Sequence, residues 1–222
     1  MISLSKKQMS LADKKKILQN LVKKTQEKYG GEKHVLPFAK DRIDELKYKF
    51  IPTASESLNV ALNGGFAVGK IIEIAGESSS GKTSLALETI ALDHKNDPDS
   101  IWGWLDTEGD FDADYATLKG VDLDRLIVWE IDDAGAEQGL DKLEMLIRSH
   151  ALKGVIINSV TGLVPSKELE SEMEKQEVAL QARMMSKLMR KITAICNRTE
   201  TTVIFINQLR TNVGQLYGGL IA

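Results

Sequence analysis

The sequence predicts an α/β fold, a mainly parallel β-sheet flanked by helices, and two observations carry that prediction. From about residue 51 onward, short apolar runs occur at Ile71–Ala75, Ile101–Leu105, Leu126–Trp129, Val155–Ile157 and Val203–Ile206. Each is rich in β-branched or aromatic residues, as strands buried on both faces should be. Between them lie helical patterns, notably Lys82–His94, Ala136–Leu152 and Ala179–Asn197. Strand and helix alternating in this way give a parallel sheet, because each parallel pair needs a crossover.

Ahead of this core, residues 1–50 read as a separate arm. Leu11, Leu18, Leu21 and Val22 fall near one stripe of a lysine-rich segment, 11–29, that predicts a short amphipathic helix closed by Gly30 and Gly31. Residues 31–50 are mixed in character, with a short extended piece expected near His34–Phe38. The organisation is therefore an arm over 1–50 and an α/β core over 51–222. Charge follows the same division. Residues 1–50 carry 13 Lys/Arg against 6 Asp/Glu, a balance of +7, so the remainder carries −10 to give the net −3. A basic arm ahead of an acidic body suggests an anionic partner, either nucleic acid or the acidic face of a neighbouring subunit, although a solvated helix has the same composition.

Composition excludes several classes. Hydrophobic residues are 42% and charged residues 27% of the 222, ordinary for a soluble globular protein. No apolar stretch is long enough to span a bilayer, and Lys6 and Lys7 precede no apolar segment of a secretory signal. With Cys196 as the single cysteine no intrachain disulfide can form, which suits a reducing cytoplasm. Cys196 reads as a buried helix residue.

The chemistry concentrates after the first strand. Gly76-Glu77-Ser78-Ser79-Ser80-Gly81-Lys82-Thr83 is a G-x-x-x-x-G-K-[ST] loop between a strand and a helix. Its glycines let backbone N–H groups curl around phosphate oxygens, and the helix dipole adds positive potential there. Lys82 is expected to reach the β- and γ-phosphates and the Thr83 hydroxyl to ligate magnesium. The ligand so implied is a nucleoside triphosphate, ATP with Mg²⁺. Asp106-Thr107-Glu108-Gly109 imitates the D-x-x-G switch of a GTPase, yet the chain contains no N-K-x-D guanine-reading motif. Glu108 instead reads as a carboxylate at the C-terminal edge of the second strand, placed to orient and polarise an attacking water.

Several of these segments together resemble the RecA family of recombinases. Leu62–Thr83 (LNGGFAVGKIIEIAGESSSGKT), Leu105–Glu108, Asp112–Tyr115, Leu180–Lys191 (LQARMMSKLMRK) and Phe205–Arg210 (FINQLR) carry the likeness, which covers about residues 51–218. The N-terminal helix is similar to the family's subunit-linking helix. The resemblance implies a RecA-like ATP-binding core in which Gly76–Thr83 hold the triphosphate and magnesium and Glu108 activates water. It further implies that Tyr115 stacks on adenine with Asp112 near the base, and that Gln208 senses the γ-phosphate. Residues from about Glu170 to Leu180 match a first DNA-binding loop, and those from Leu209 onward match the start of a second, which includes Arg210 and Val213.

The residues themselves agree on DNA. After Ala179, Met185, Leu188, Met189, Ile192, Ile195 and Cys196 fall on one side of a helix, and Arg183, Lys187 and Arg190 on the other, with Ser186 between them. Leu180–Thr199 holds five basic residues and no acidic one, which suits phosphate contact and counterion release. No aromatic stacking platform or recognition helix suggests base-specific readout. The sequence departs from the family in places. Asn158 stands where the resemblance implies an aspartate supporting magnesium and its waters; Asn keeps an acceptor oxygen but loses the charge. Ser171, Glu174 and Ala179 replace glycines of the first DNA loop, and the chain stops at Ala222, inside the second, as a split gene, a fragment or a short relative would.

These observations lead to an expected function: an ATP-dependent recombinase that forms helical filaments on single-stranded DNA, pairs it with duplex DNA, and hydrolyses ATP, its subunits joined through the N-terminal helix. The alternative is a catalytically impaired ATP-binding module that docks on full-length recombinase. A helicase or clock-type ATPase of the same superfamily matches Leu180–Lys191 less well.

Overall fold

The computed structural model describes residues 9–30, 47–131, 135–169, 180–211 and 220–221. The chain divides into two compact units, Met1–Tyr48 and Lys49–Ala222. In the first, α1 (Leu11–Tyr29) is a single helix. Ser10 begins it, with its hydroxyl oxygen accepting from the Asp13 amide at 3.1 Å. The extended piece expected near His34–Phe38 lies outside the described residues.

The second unit opens with β1 (Phe50–Ile51), α2 (Glu56–Ala61) and β2 (Phe66–Ala67), β1 and β2 pairing antiparallel. Then come β3 (Ile71–Gly76), α3 (Lys82–Asn96), β4 (Trp102–Asp106), α4 (Ala113–Leu118), β5 (Leu126–Glu130), α5 (Ala136–Arg148), β6 (Gly154–Asn158), α6 (Ser166–Leu169), α7 (Leu180–Thr199) and β7 (Thr202–Gln208). Two short strands, β8 (Arg210–Thr211) and β9 (Leu220–Ile221), pair antiparallel beyond it. The five strands β3 to β7 form one wholly parallel sheet in the order β3-β7-β6-β4-β5. All their carboxyl ends therefore open on one edge.

Alternation along the strands divides the core into two layers. Leu105, Val155, Ile157, Val203 and Phe205 face α5 and α7, packing on Leu143, Ile147, Leu188, Ile192 and Cys196. Trp102, Trp104, Ile156, Ile204 and Ile206 face the other way, onto Ala86, Leu87 and Ile90 of α3 and Ala116 of α4. A period of two places successive side chains on opposite faces, so both must be covered by helices.

The expectation that every strand would be buried on both faces holds for β4, β6 and nearly all of β7. It fails for β3 and β5. Among the described residues these are the sheet edges, and Ile127 and Val128 of β5 are 43% and 38% exposed. Their apolar composition resembled that of central strands because a parallel edge strand still buries one face. The third predicted helix is shorter than the apolar pattern, ending at Arg148, since Leu152 packs in the core from the following loop.

Candidate functional site

Of the five strand ends, four are built by residues that the sequence marked. In the loop after β3, Gly76 lies in register with Gln208 of β7, and the Leu209 amide donates to the Gly76 carbonyl at 3.0 Å. A Cβ on Gly76 would come within 2.8 Å of Ser80 Oγ, so the loop closes tightly over its first residue. Glu77, Ser78, Ser79 and Ser80 are exposed. Gly81 adopts φ +87°, a left-handed conformation that a side chain would strain, and begins α3 with no side-chain cap. A 15-residue helix thus presents its first amides at an open loop. Lys82 Nζ lies across that loop, donating to the carbonyls of Gly76 at 3.1 Å and Glu77 at 2.7 Å. Thr83 is in the first turn, half-buried. Uncapped amides, a close-fitting glycine and a folded-in ammonium fit a phosphate group.

At the end of β4, the buried Asp106 accepts from the amides of Glu108 (3.1 Å), Gly109 (3.0 Å) and Phe111 (2.8 Å). These bonds fold the chain into a turn that presents Glu108. Its carboxylate accepts from Ser159 Oγ and from Thr161 Oγ1, the latter at 3.2 Å. Register explains the meeting: Asp106 pairs with Asn158, so the residues after each strand lie side by side. Thr107 joins the two segments. Its amide donates to the Asn158 carbonyl (2.8 Å), its hydroxyl donates to the Ser159 carbonyl (2.7 Å), and that same oxygen accepts from the Ser159 amide (2.7 Å).

Asn158 is 6% exposed, and its Nδ2 reaches Asp110 Oδ1 at 3.3 Å. Burial, then the charges of Asp106 and Glu108, push the Asp110 carboxyl above its ordinary pKa. The chain then returns towards α3. Asp112 caps α4 by accepting from the Tyr115 amide at 2.8 Å. Tyr115 OH lies 2.7 Å from Ser84 Oγ, next to Thr83, and Lys119 Nζ is 5.4 Å from the tyrosine ring centroid. Among the described residues no three His, Cys, Asp or Glu side chains converge into a metal cage. A magnesium ion needs none, since it keeps several waters and takes its remaining ligands from phosphates and one or two protein oxygens.

Helix α7 lies on the other face of the sheet. Gln181 Nε2 donates to the carbonyls of Val160 (3.0 Å) and Leu163 (3.2 Å), tying its first turn to the loop that carries Ser159 and Thr161. Arg183, Ser186, Lys187 and Arg190 are exposed. Of the five basic residues assigned to phosphate contact, Lys191 is committed elsewhere: its Nζ lies 2.8 Å from Glu144 Oε2, and Arg148 meets the same carboxylate at 2.7 Å. Helix α5, which supplies Glu144, packs beside α7 and takes that lysine. Lys191, then Arg148, holds the Glu144 carboxyl below its ordinary value. Cys196 is buried, as expected, and burial pushes its thiol up to about 11. Arg210 pairs through its backbone with Ile221, while Glu170–Ala179 and Val213 lie outside the described residues.

A family model for the RecA N-terminal domain matches residues 16–220. The chain belongs to the RecA family. Protein RecA of Bacteroides thetaiotaomicron is 41% identical over 211 residues, covering 95% of this chain and 62% of that protein. Protein RecA of Kineococcus radiotolerans is 48% identical over 169 residues, 76% of this chain and 47% of its own length. Protein RecA of Mesomycoplasma hyopneumoniae is 39% identical over 211 residues, 95% and 60%. This RecA-family chain thus spans about half to three-fifths of the length of those relatives.

Sequence reasoning singled out the RecA phosphate loop, Glu108, Asn158, Gln208 and Tyr115, and the structure brings them to one sheet edge and the adjoining start of α3. It missed Ser159 and Thr161 on Glu108, Asp106 beneath it, and Asp110 against Asn158. The available signal was positional: hydroxyl residues just after one parallel strand face the residues just after its neighbour.

Proposed function

We propose that this chain binds ATP with magnesium and hydrolyses it in a DNA-dependent manner, as the nucleotide-binding part of a recombinase that acts on single-stranded and duplex DNA in the cytoplasm. The observation that carries the reading is the phosphate loop and an anchored Glu108 on the same edge of one parallel sheet. Gly76 to Thr83 would cradle the triphosphate through the amides at the start of α3, with Lys82 exchanging its loop carbonyls for phosphate oxygens. Thr83, and Asn158 through water, would hold the magnesium, which when bound neutralises phosphate charge. Glu108, steered by two hydroxyl donors, would take the proton of the attacking water. Gln208, in register with Gly76, would report phosphate occupancy to the residues after it, and Tyr115 would stack on the base beside Asp112.

Arg183, Ser186 and Arg190 on α7, with Arg210 and Val213, would meet the phosphates of DNA. The exposed Leu11, Leu18 and Leu21 of α1 would be covered by a neighbouring subunit in a helical filament.

Phosphate release from ATP, measured with and without single-stranded DNA, tests this reading. Stimulation by DNA is expected, with a loss of about a hundredfold in Glu108→Gln, the scale of a lost general base. ATP binding without DNA-stimulated turnover would overturn it in favour of an impaired module that docks on a full-length recombinase.

A further inference from the structure

The first turns of α7 are held differently from the rest of that helix. Its fully buried residues begin at Leu188 and continue through Ile192, Ile195 and Cys196. Ahead of them Met184 and Met185 are only half-buried, while Ala182, Arg183, Ser186 and Lys187 are exposed. A polar contact fastens this end: Gln181 Nε2 donates to the carbonyls of Val160 at 3.0 Å and Leu163 at 3.2 Å. Both partners are acceptors, so only the amide nitrogen, with its two hydrogens, can serve them.

Those two carbonyls bracket the 3₁₀ turn Val160–Gly162. On its other side the turn rests on Thr107, where the absence of a side chain at Gly162 allows the close approach. Ser159, just ahead of the turn, exchanges two hydrogen bonds with Thr107. From between these supports the hydroxyls of Ser159 and Thr161 donate to the Glu108 carboxylate. A continuous run of hydrogen bonds and covalent neighbours therefore leads from α7, through Gln181 and the turn, to Glu108. Arg183 and Ser186 share the first turns of α7 with Gln181, and Arg190 follows within about 14 Å along the axis.

We infer that Gln181 is a positioning residue that transmits DNA engagement of α7 to Glu108: a shift of the helix end moves the turn, and with it the two hydroxyls that aim the carboxylate. This role rests on the hydrolysis and DNA-contact readings above and deepens them by naming the residue through which DNA stimulates turnover. The movement required is small, since about 1 Å of misplacement at a reacting group can cost about a hundredfold in rate. Thr107 holds Ser159 from the opposite side, so hydrolysis without DNA does not depend on Gln181.

The test measures phosphate release from ATP by the full chain, without DNA and at saturating single-stranded DNA, alongside DNA affinity and thermal unfolding. Gln181→Met keeps the length and helix preference of the side chain but removes both donors. Its DNA affinity and its rate without DNA should stay within about threefold of the parent, while stimulation by DNA falls about fivefold or more, the lower end of the usual coupling between sites. A merely structural tie would instead lower the melting temperature and both rates together. That result, or parental stimulation in Gln181→Met, would overturn the inference. A parent chain that hydrolyses no ATP, or whose hydrolysis DNA does not stimulate, would overturn the reading on which it rests.

Discussion

Gly162→Ala is the most informative single perturbation of the frame that carries Glu108. Gly162 closes the 3₁₀ turn Val160–Gly162 after β6, and a Cβ there would lie 2.3 Å from Thr107 Oγ1, 2.6 Å from the Thr107 carbonyl oxygen and 2.8 Å from Thr107 Cβ. Thr107 cannot simply retreat, because three hydrogen bonds fasten it to Asn158 and Ser159. Turning its side chain away would relieve the first clash but break two of those bonds, about 1 kcal/mol each. The carbonyl would still be too close, and shifting backbone in a packed region costs about 1–3 kcal/mol more. The expected loss is therefore about 3–5 kcal/mol, read as a lower urea midpoint at unchanged slope. Thr107→Ala in the same chain should not restore stability, since it removes the hydroxyl and leaves the carbonyl. A Gly162→Ala protein within about 0.5 kcal/mol of the parent, the scatter of neutral surface substitutions, would refute the close apposition of the two segments.

Other consequences are simpler to read. Arg183→Ala and Arg190→Ala should each weaken single-stranded DNA binding and reduce the magnitude of its log–log salt slope by about 0.7 for each phosphate no longer neutralised; parental binding across a salt titration would leave α7 a merely solvated face. Lys191, then Arg148, lowers the folded-state pKa of Glu144 from its ordinary 4.5, so the stability it contributes is present above that value and lost as pH falls through the lower one. Glu144→Gln should accordingly flatten the acid limb of the stability curve below about pH 4.5, and an unchanged limb would contradict the ion-pair geometry. Cys196, buried and with its thiol pushed up to about 11, should react with a thiol reagent at pH 8 only after denaturation; prompt labelling of the native chain would contradict its burial.

The parallel sheet was legible because its central strands carry an uninterrupted apolar code. Val155–Ile157 and Val203–Ile206 must satisfy helices on both faces, so every position is apolar. The phosphate loop was legible because its requirements are local: a positive φ at Gly81, a cationic Lys82 and a helix starting at once. Strand order was not local. Nothing in Ile127 or Val128 announces an edge, which depends on which strand lies beside β5. The same limit hid Ser159, Thr161 and Asp110, whose roles arise from the pairing of β4 with β6. Lys191 shows the converse error, since a basic residue on an exposed helix face looks available until the acidic neighbour on α5 is placed.

Every functional role proposed above depends on Gly76–Thr83 being a working triphosphate site, and titration with a fluorescent ATP analogue in magnesium is its sharpest test. Among the described residues the Lys82 ammonium donates to two loop carbonyls, so Lys82→Ala should fold normally. Losing its charge-assisted hydrogen bonds, about 1.5–3 kcal/mol, should weaken binding by about tenfold to a hundredfold or more. Saturable binding by the parent and its loss in Lys82→Ala is the expected result; equal affinity in the two proteins would contradict the assignment.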